Sequence, residues 1–196
     1  MPAESSVDDA LDVALLVARA LESVGAEYFV GGSVASSLQG EPRATNDIDF
    51  VVSLLPRRVA ELVTMLGADF EVDQDMLRDA LGCGGSANFF YLPLVTKVDV
   101  FGLGAAPFDE SEFSRRKRVR VKRSGAELFV KSPEDTVLRK LLWYRDGGGV
   151  SEKQWRDIVE VLRISGAQMT PAYLDAWAPR LGITDLLASA RVEAEL

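Results

Sequence analysis

The sequence predicts an α/β core, a sheet flanked by helices, followed by a C-terminal helical subdomain. Three observations predict it. Short apolar runs of strand character lie almost wholly before residue 132. Stretches with helical spacing alternate with them. From Ser132 onward the pattern is helical to the last residue. The expected division is an α/β core over 1–131, including an N-terminal helix, and helices over 132–196 packed as one unit with it.

The elements follow in order. Val7, Ala10, Leu11, Ala14, Leu15, Ala18 and Leu21 recur at helical spacing over 7–23, and Gly25 ends that helix. A short strand, Glu27 to Val30, is broken by Gly31-Gly32-Ser33, and Ser33 to Leu38 reads as a short helix. Residues 46–52 form the second strand. Leu55 to Leu66 is a helix with Pro56 in its first turn. Residues 73–81 give another helix, stopped by the glycine-rich loop 82–85. Ala87 to Leu92 and Thr96 to Phe101 are strands joined around Pro93. Residues 117–123 and Glu127 to Lys131 flank Ser124-Gly125 as a hairpin. Ser132-Pro133-Glu134-Asp135 starts a helix, with Ser as N-cap, Pro at the first position and acids in the first turn. Glycines 147–149 interrupt, and helices over 152–164, 170–178 and 182–192 follow.

The chain has 196 residues, 47% apolar and 27% charged, ordinary values for a globular protein with one compact core and a helical annex. No apolar run approaches the ~18 residues that cross a bilayer. Glu4, Asp8, Asp9 and Asp12 near the start argue against a secretory signal. A single cysteine, Cys83, excludes an internal disulfide and fits a reducing cytoplasm. There is no histidine, so neither a Ser-His-Asp system nor a His-ligated zinc can be built. Metal chemistry falls to carboxylates, which favour hard cations such as magnesium. Net charge is −8. Seven basic residues nevertheless crowd into 115–123, RRKRVRVKR, and removing them leaves −15 on the rest.

Residues 46–52 read Asn-Asp-Ile-Asp-Phe-Val-Val. On a strand Asp47, Asp49 and Val51 share one face, and Ile48, Phe50 and Val52 the other. Two carboxylates side by side repel unless a cation neutralises them, and magnesium does so. The later strand Lys97-Val98-Asp99-Val100-Phe101 offers a third carboxylate. If the two strands adjoin, Asp47, Asp49 and Asp99 form a triad that can bridge two metals, and Asp99 is placed to take an acceptor's proton. Gly31-Gly32-Ser33, between a strand and a helix, lets a phosphate approach the backbone. Each piece also has a plain reading. Gly-Gly-Ser is a turn, Asp-x-Asp a solvated strand edge, and Asp99 a partner for Lys97. The joint order of strand, Gly-Gly-Ser, helix, Asp-x-Asp and later Asp is the specific signal.

The stretch GGSVASSLQGEPRATNDIDFVV resembles the signature of polymerase-beta-type nucleotidyltransferases. Its Arg-x-Thr before the acids is similar to small prokaryotic proteins related to the abortive-infection nucleotidyltransferase toxins. The likeness continues through KVDVF, SPEDTVLRKLLWYRDGG and SEKQWRDIVEVL, covering about residues 26–164. It implies a nucleotidyltransferase-type mixed sheet and magnesium- or manganese-dependent transfer of a nucleoside monophosphate from a nucleoside triphosphate such as ATP. The acceptor would be a hydroxyl or phosphate of tRNA or protein, with an antitoxin as partner. An antibiotic-type small-molecule enzyme or a non-catalytic nucleotide-binding module are the alternatives. The resemblance makes Gly31, Gly32 and Ser33 the triphosphate motif and Asp47, Asp49 and Asp99 the metal-binding catalytic acids. It places Arg43, Thr45, Lys140 and Asp157 around the nucleotide. The helices after 132 are too few for an ordinary tRNA CCA-adding enzyme.

Local alternatives stand beside these assignments. Lys140 can be an exposed helix cation, and Asp157 can pair with Lys153 one turn away. Trp143, Tyr144 and Trp155 read better as helix-packing aromatics than as a base-stacking platform. Cys83 reads as structural or incidental. Arg116, Arg118, Arg120 and Lys122 either dock an anionic acceptor or form a solvated hairpin.

Overall fold

The computed structural model describes residues 7–41, 45–121 and 124–196. Arg43 and Lys122, both candidate binding residues, lie outside the described residues. The elements run α1 (Ala10–Ser23), β1 (Glu27–Val30), α2 (Gly32–Gln39), β2 (Asp47–Ser53), α3 (Val59–Leu66), β3 (Phe70–Glu71), α4 (Gln74–Cys83), β4 (Ser86–Tyr91), β5 (Thr96–Gly102), α5 (Pro107–Ser114), β6 (Lys117–Arg120), β7 (Glu127–Val130), α6 (Pro133–Asp146), α7 (Glu152–Ser165), α8 (Pro171–Leu181) and α9 (Thr184–Glu193). The chain divides into two compact units. The first holds the described residues up to Val34 and Thr45–Val130; the second holds those of 35–44 with Lys131–Leu196. No described helix is long and apolar enough to cross a membrane.

The first unit carries a seven-stranded mixed sheet in the order β3-β4-β5-β2-β1-β7-β6. β2 pairs parallel with β5, and β1 parallel with β7; the other pairings are antiparallel. Alternation along β2 puts Ile48, Phe50 and Val52 in the core at 0–1% exposure. Val98 and Val100 on β5 join them on the same face. Burying each such side chain contributes roughly 1.5–3 kcal/mol. The opposite face is more open, and Asp47, Asp49, Lys97 and Asp99 stand on it.

Caps explain several boundaries. The Asp9 carboxylate accepts from the Leu11 and Asp12 backbone N–H groups and starts α1. α4 runs two residues beyond its expected end because Gly84, at φ +68°, supplies the left-handed cap. Two elements escaped the sequence. β3 is only two residues long, too short for any alternation to show. α5 has no apolar stripe, although Phe108 and Phe113 are buried. Its start is set by Pro107 and by the Asp109 carboxylate, which accepts from the Ala106 N–H at 3.3 Å.

In the second unit α6 packs against α7 and α8, and α9 against α7 and α8. Ser132 caps α6 by accepting from the Asp135 N–H, as the sequence predicts. Val137, Leu138, Leu141, Ile158, Val161 and Leu162 form the centre of its apolar interior. A polar network accompanies them. Tyr173 donates to Asp135 at 2.7 Å, Thr136 donates to the Gln39 side chain at 2.7 Å, and Ser165 donates to the Gln39 carbonyl at 2.6 Å. These buried groups are satisfied within the unit, which is what makes their burial tolerable.

Candidate active site

The register of β2 and β5 builds the site. Asp49 stands directly beside Asp99 and Asp47 beside Lys97. Residues facing one another across neighbouring strands project to the same face, so three carboxylates and one ammonium share one strip of sheet. Asp47 is exposed, and Asp49 and Asp99 are half-buried. The Lys97 ammonium donates to Asp99, with Nζ 2.7 Å from Oδ1 and 2.9 Å from Oδ2. That hydrogen bond, with the charges of Asp99, Asp47 and Asp49, raises the Lys97 pKa above the ordinary lysine value against a smaller opposing effect of burial.

The turn after β1 abuts the same acids. The Gly31 N–H donates to the Asp49 carbonyl at 2.8 Å. Gly32 has φ +52°, and a Cβ there would lie 1.7 Å from Asp49 Oδ2 and 2.5 Å from its Cγ. Glycine suits this position, because the backbone conformation is left-handed and any side chain would have to displace the Asp49 carboxylate. Ser33 follows in the first turn of α2, half-buried. Thr45 stands ahead of β2, where its hydroxyl donates to the Asp47 carbonyl at 3.1 Å. This local turn at the strand's start is its observed role.

Asp47, Asp49 and Asp99 supply only hard oxygen donors in adjacent register, which suits a magnesium ion. Among the described residues no three acids, cysteines or histidines are gathered closely enough to hold a metal as they stand. Lys97 engages both oxygens of Asp99. The residues thus fit a divalent cation in donor type and register, with a lysine acting as their present counter-charge.

The second unit contains the other candidate pair. Lys140 on α6 and Asp157 on α7 form an ion pair at 2.9 Å, with side chains 7% and 9% exposed. Both plain readings are therefore corrected: Lys140 is not an exposed cation, and Asp157 is paired with the neighbouring helix rather than with Lys153. Tyr144 and Trp155 pack with ring centroids 5.1 Å apart, and the Trp155 indole donates to Glu193 at 2.7 Å. Those two rings join helices. Trp143 is 40% exposed, with the Lys131 ammonium 5.7 Å from its ring centroid. Cys83 is a free thiol, exposed.

The basic run lies elsewhere on the sheet. β6 is the edge strand, and β1 and β7 stand between it and β2, about 14 Å at the usual strand spacing. Arg116 pairs with Glu27 and stacks 4.4 Å from the Phe113 ring centroid. Arg118 and Arg120 share Glu127 at 3.4 and 3.6 Å. The hairpin expected there forms, β6 against β7. On the far side of Asp99 the sheet sets residues that sequence reasoning did not single out. Asn88 pairs with Asp99, Phe90 with Lys97, and Glu71 with Phe90. Counting outward from the turn at 92–95 would have paired Phe90 with Lys97; Glu71 had no local signal.

A mixed sheet with Gly-Gly-Ser after one strand and acids on the next is the arrangement of a nucleotidyltransferase fold, and solved structures agree. The chain is similar to an antigenic nucleotidyltransferase-like protein from Paracoccidioides brasiliensis, at 24% identity and TM-score 0.57 over 80% of this chain and 77% of that one. It is similar to the antibiotic-resistance factor ANT(2'')-Ia at 15% identity and TM-score 0.56, over 93% and 99% of the two chains. The lincosamide antibiotic adenylyltransferase LnuA matches at 14% identity and TM-score 0.52, over 80% and 99%. No protein-family model and no curated protein matches the sequence. The chain has the polymerase-beta-type nucleotidyltransferase fold.

Proposed function

We propose that this protein is a magnesium-dependent nucleotidyltransferase that moves a nucleoside monophosphate from a nucleoside triphosphate to an acceptor hydroxyl. The observation that carries the reading is the pairing of Asp49 with Asp99 on parallel strands, beside a turn whose Gly32, at φ +52°, lies against the Asp49 carboxylate. Asp47, Asp49 and Asp99 would hold the divalent cation, which neutralises phosphate charge and polarises the reacting oxygens. Gly32 and Ser33 would receive the triphosphate through backbone N–H groups and the Ser33 hydroxyl, while Gly31, whose N–H bonds to the Asp49 carbonyl, would leave room for the phosphate to approach. The acceptor oxygen bonds to the α-phosphorus as the bond to the β-phosphate oxygen breaks, and pyrophosphate leaves. Asp99 takes the acceptor's proton. Lys140 and Asp157 stabilise one another within the second unit, and their part in nucleotide binding stays a proposal carried by resemblance. The antitoxin partner and a tRNA acceptor have the same standing.

The test is the Asp47→Asn, Asp49→Asn double variant with each labelled nucleoside triphosphate. Transfer should vanish while the melting curve remains that of a folded protein. Undiminished transfer in the folded double variant refutes the assignment.

A further inference from the structure

The sheet arranges the candidate groups in a lateral series. Gly31–Ser33 follow β1, Asp47 and Asp49 stand on β2, Lys97 and Asp99 on β5, and β4 comes next. Nucleotidyl transfer places the attacking and leaving oxygens roughly in line on opposite sides of the phosphorus. A triphosphate held at the β1 side sends its pyrophosphate that way. The acceptor then approaches from the β5 side, over β4.

The face of β4 that turns this way can be read from its pairing. Asn88 lies opposite Asp99, Phe90 opposite Lys97 and Ser86 opposite Phe101. Burial agrees: Ser86 and Asn88 are exposed and Phe90 is half-buried, whereas Ala87, Phe89 and Tyr91 are in the core. Beyond Phe90 comes Glu71 of β3, also exposed. The strip thus offers an amide, a hydroxyl, an aromatic ring and a carboxylate. Among the described residues its cation is Lys97, and Asp99 engages it. The arginines of β6 stand at the opposite edge of the sheet, beyond β1 and β7.

We infer that Asn88, Phe90 and Glu71 form the acceptor platform, and that the acceptor is a small hydroxyl-bearing ring compound carrying no negative charge. The inference rests on the nucleotidyltransferase reading. An amide both donates and accepts, so Asn88 can hydrogen-bond a hydroxyl in either sense. Phe90 gives the apolar face of a ring a surface to lie on. Glu71 attracts an amine and repels a phosphate. A nucleic-acid acceptor would bring its phosphates to a strip where Glu71 repels them and where Lys97 is already engaged by Asp99.

The experiment offers the full chain, with magnesium and each labelled nucleoside triphosphate, three acceptor sets in parallel: sugars, aminosugars and nucleosides; tRNA; and protein extract. Label is expected in the small-molecule set. Asn88→Ala and Phe90→Ser, both at the open face, should each raise the acceptor KM about tenfold, the order of one lost contact, while nucleotide affinity by titration stays within about twofold. Label confined to tRNA or protein overturns the platform and leaves nucleotidyl transfer standing. So does an unchanged acceptor KM in both folded variants. A chain that neither binds nucleotide nor transfers label overturns the transfer reading, and the platform with it.

Discussion

Replacing Gly32 by alanine tests the tightest contact in the site. Two costs follow from the structure. The backbone is at φ +52°, where a Cβ costs about 1–2 kcal/mol. The Cβ would also lie 1.7 Å from Asp49 Oδ2, so the Asp49 side chain must turn away. Stability should therefore fall by at least about 1–2 kcal/mol, the backbone cost alone, read from the midpoint of chemical denaturation. Turning Asp49 away removes one of the three proposed carboxylate ligands, and divalent-cation affinity by calorimetry should fall about 100-fold. Asp49→Asn supplies the control, because it should lose comparable affinity without the backbone strain. Adding Gly32→Ala to it should then cost stability but little further affinity, a non-additive result expected of contacting residues. Wild-type cation affinity in folded Gly32→Ala would refute the reasoning, since the Asp49 carboxylate would not be the group that the glycine makes room for.

Lys140→Met should destabilise by about 3–5 kcal/mol, because it removes the buried Lys140 ammonium from the Asp157 carboxylate. A double replacement by apolar residues should recover most of that loss, and additive losses in the cycle would refute the coupling. Tyr28 gives a pH prediction. Burial, then the Glu22 charge and hydrogen bond, raises its pKa far above 10. Above about pH 10 the unfolded chain releases this proton while the native one keeps it, so stability falls with rising pH by at most about 1.4 kcal/mol per unit. That slope should be absent in Tyr28→Phe; an unchanged alkaline slope would remove Tyr28 from the account.

The legible parts of the fold are those with a local cause. β2 and β5 alternate apolar with polar side chains, so both their existence and the outward face of Asp47, Asp49 and Asp99 could be read directly. Ser132-Pro133-Glu134-Asp135 carries its own cap chemistry, and the helix begins there. α5 was missed because Pro-Phe-Asp-Glu-Ser-Glu-Phe-Ser has no helical stripe; its two phenylalanines are buried by tertiary packing. Non-local facts were out of reach for the same reason. Asp49 and Asp99 are separated by a long stretch of chain, and only strand pairing makes them neighbours. The choice of Lys140 over Lys153 as partner for Asp157 is made by the packing of α6 on α7, which no spacing within α7 reveals.

The basic run shows how far sequence distance can mislead. Arg115 follows the end of β5 by about a dozen residues, a short connection on the scale of a domain. Those residues include α5, which takes the chain from β5 to the opposite edge of the sheet. The cations of β6 thereby serve an edge strand, where charged side chains discourage pairing with a second chain. Arg118 and Arg120 also hold Glu127 on the neighbouring β7, and Arg116, just ahead of β6, holds Glu27 on β1. The acids on β2 and β5 take their counter-charge from within their own strip, through Lys97. An acidic strip with its own lysine and a basic edge beyond β1 and β7 are separate solutions to separate problems. That separation is why the proposed acceptor platform is drawn from Asn88, Phe90 and Glu71, on the strands next to β5, and not from the most conspicuous charges in the chain.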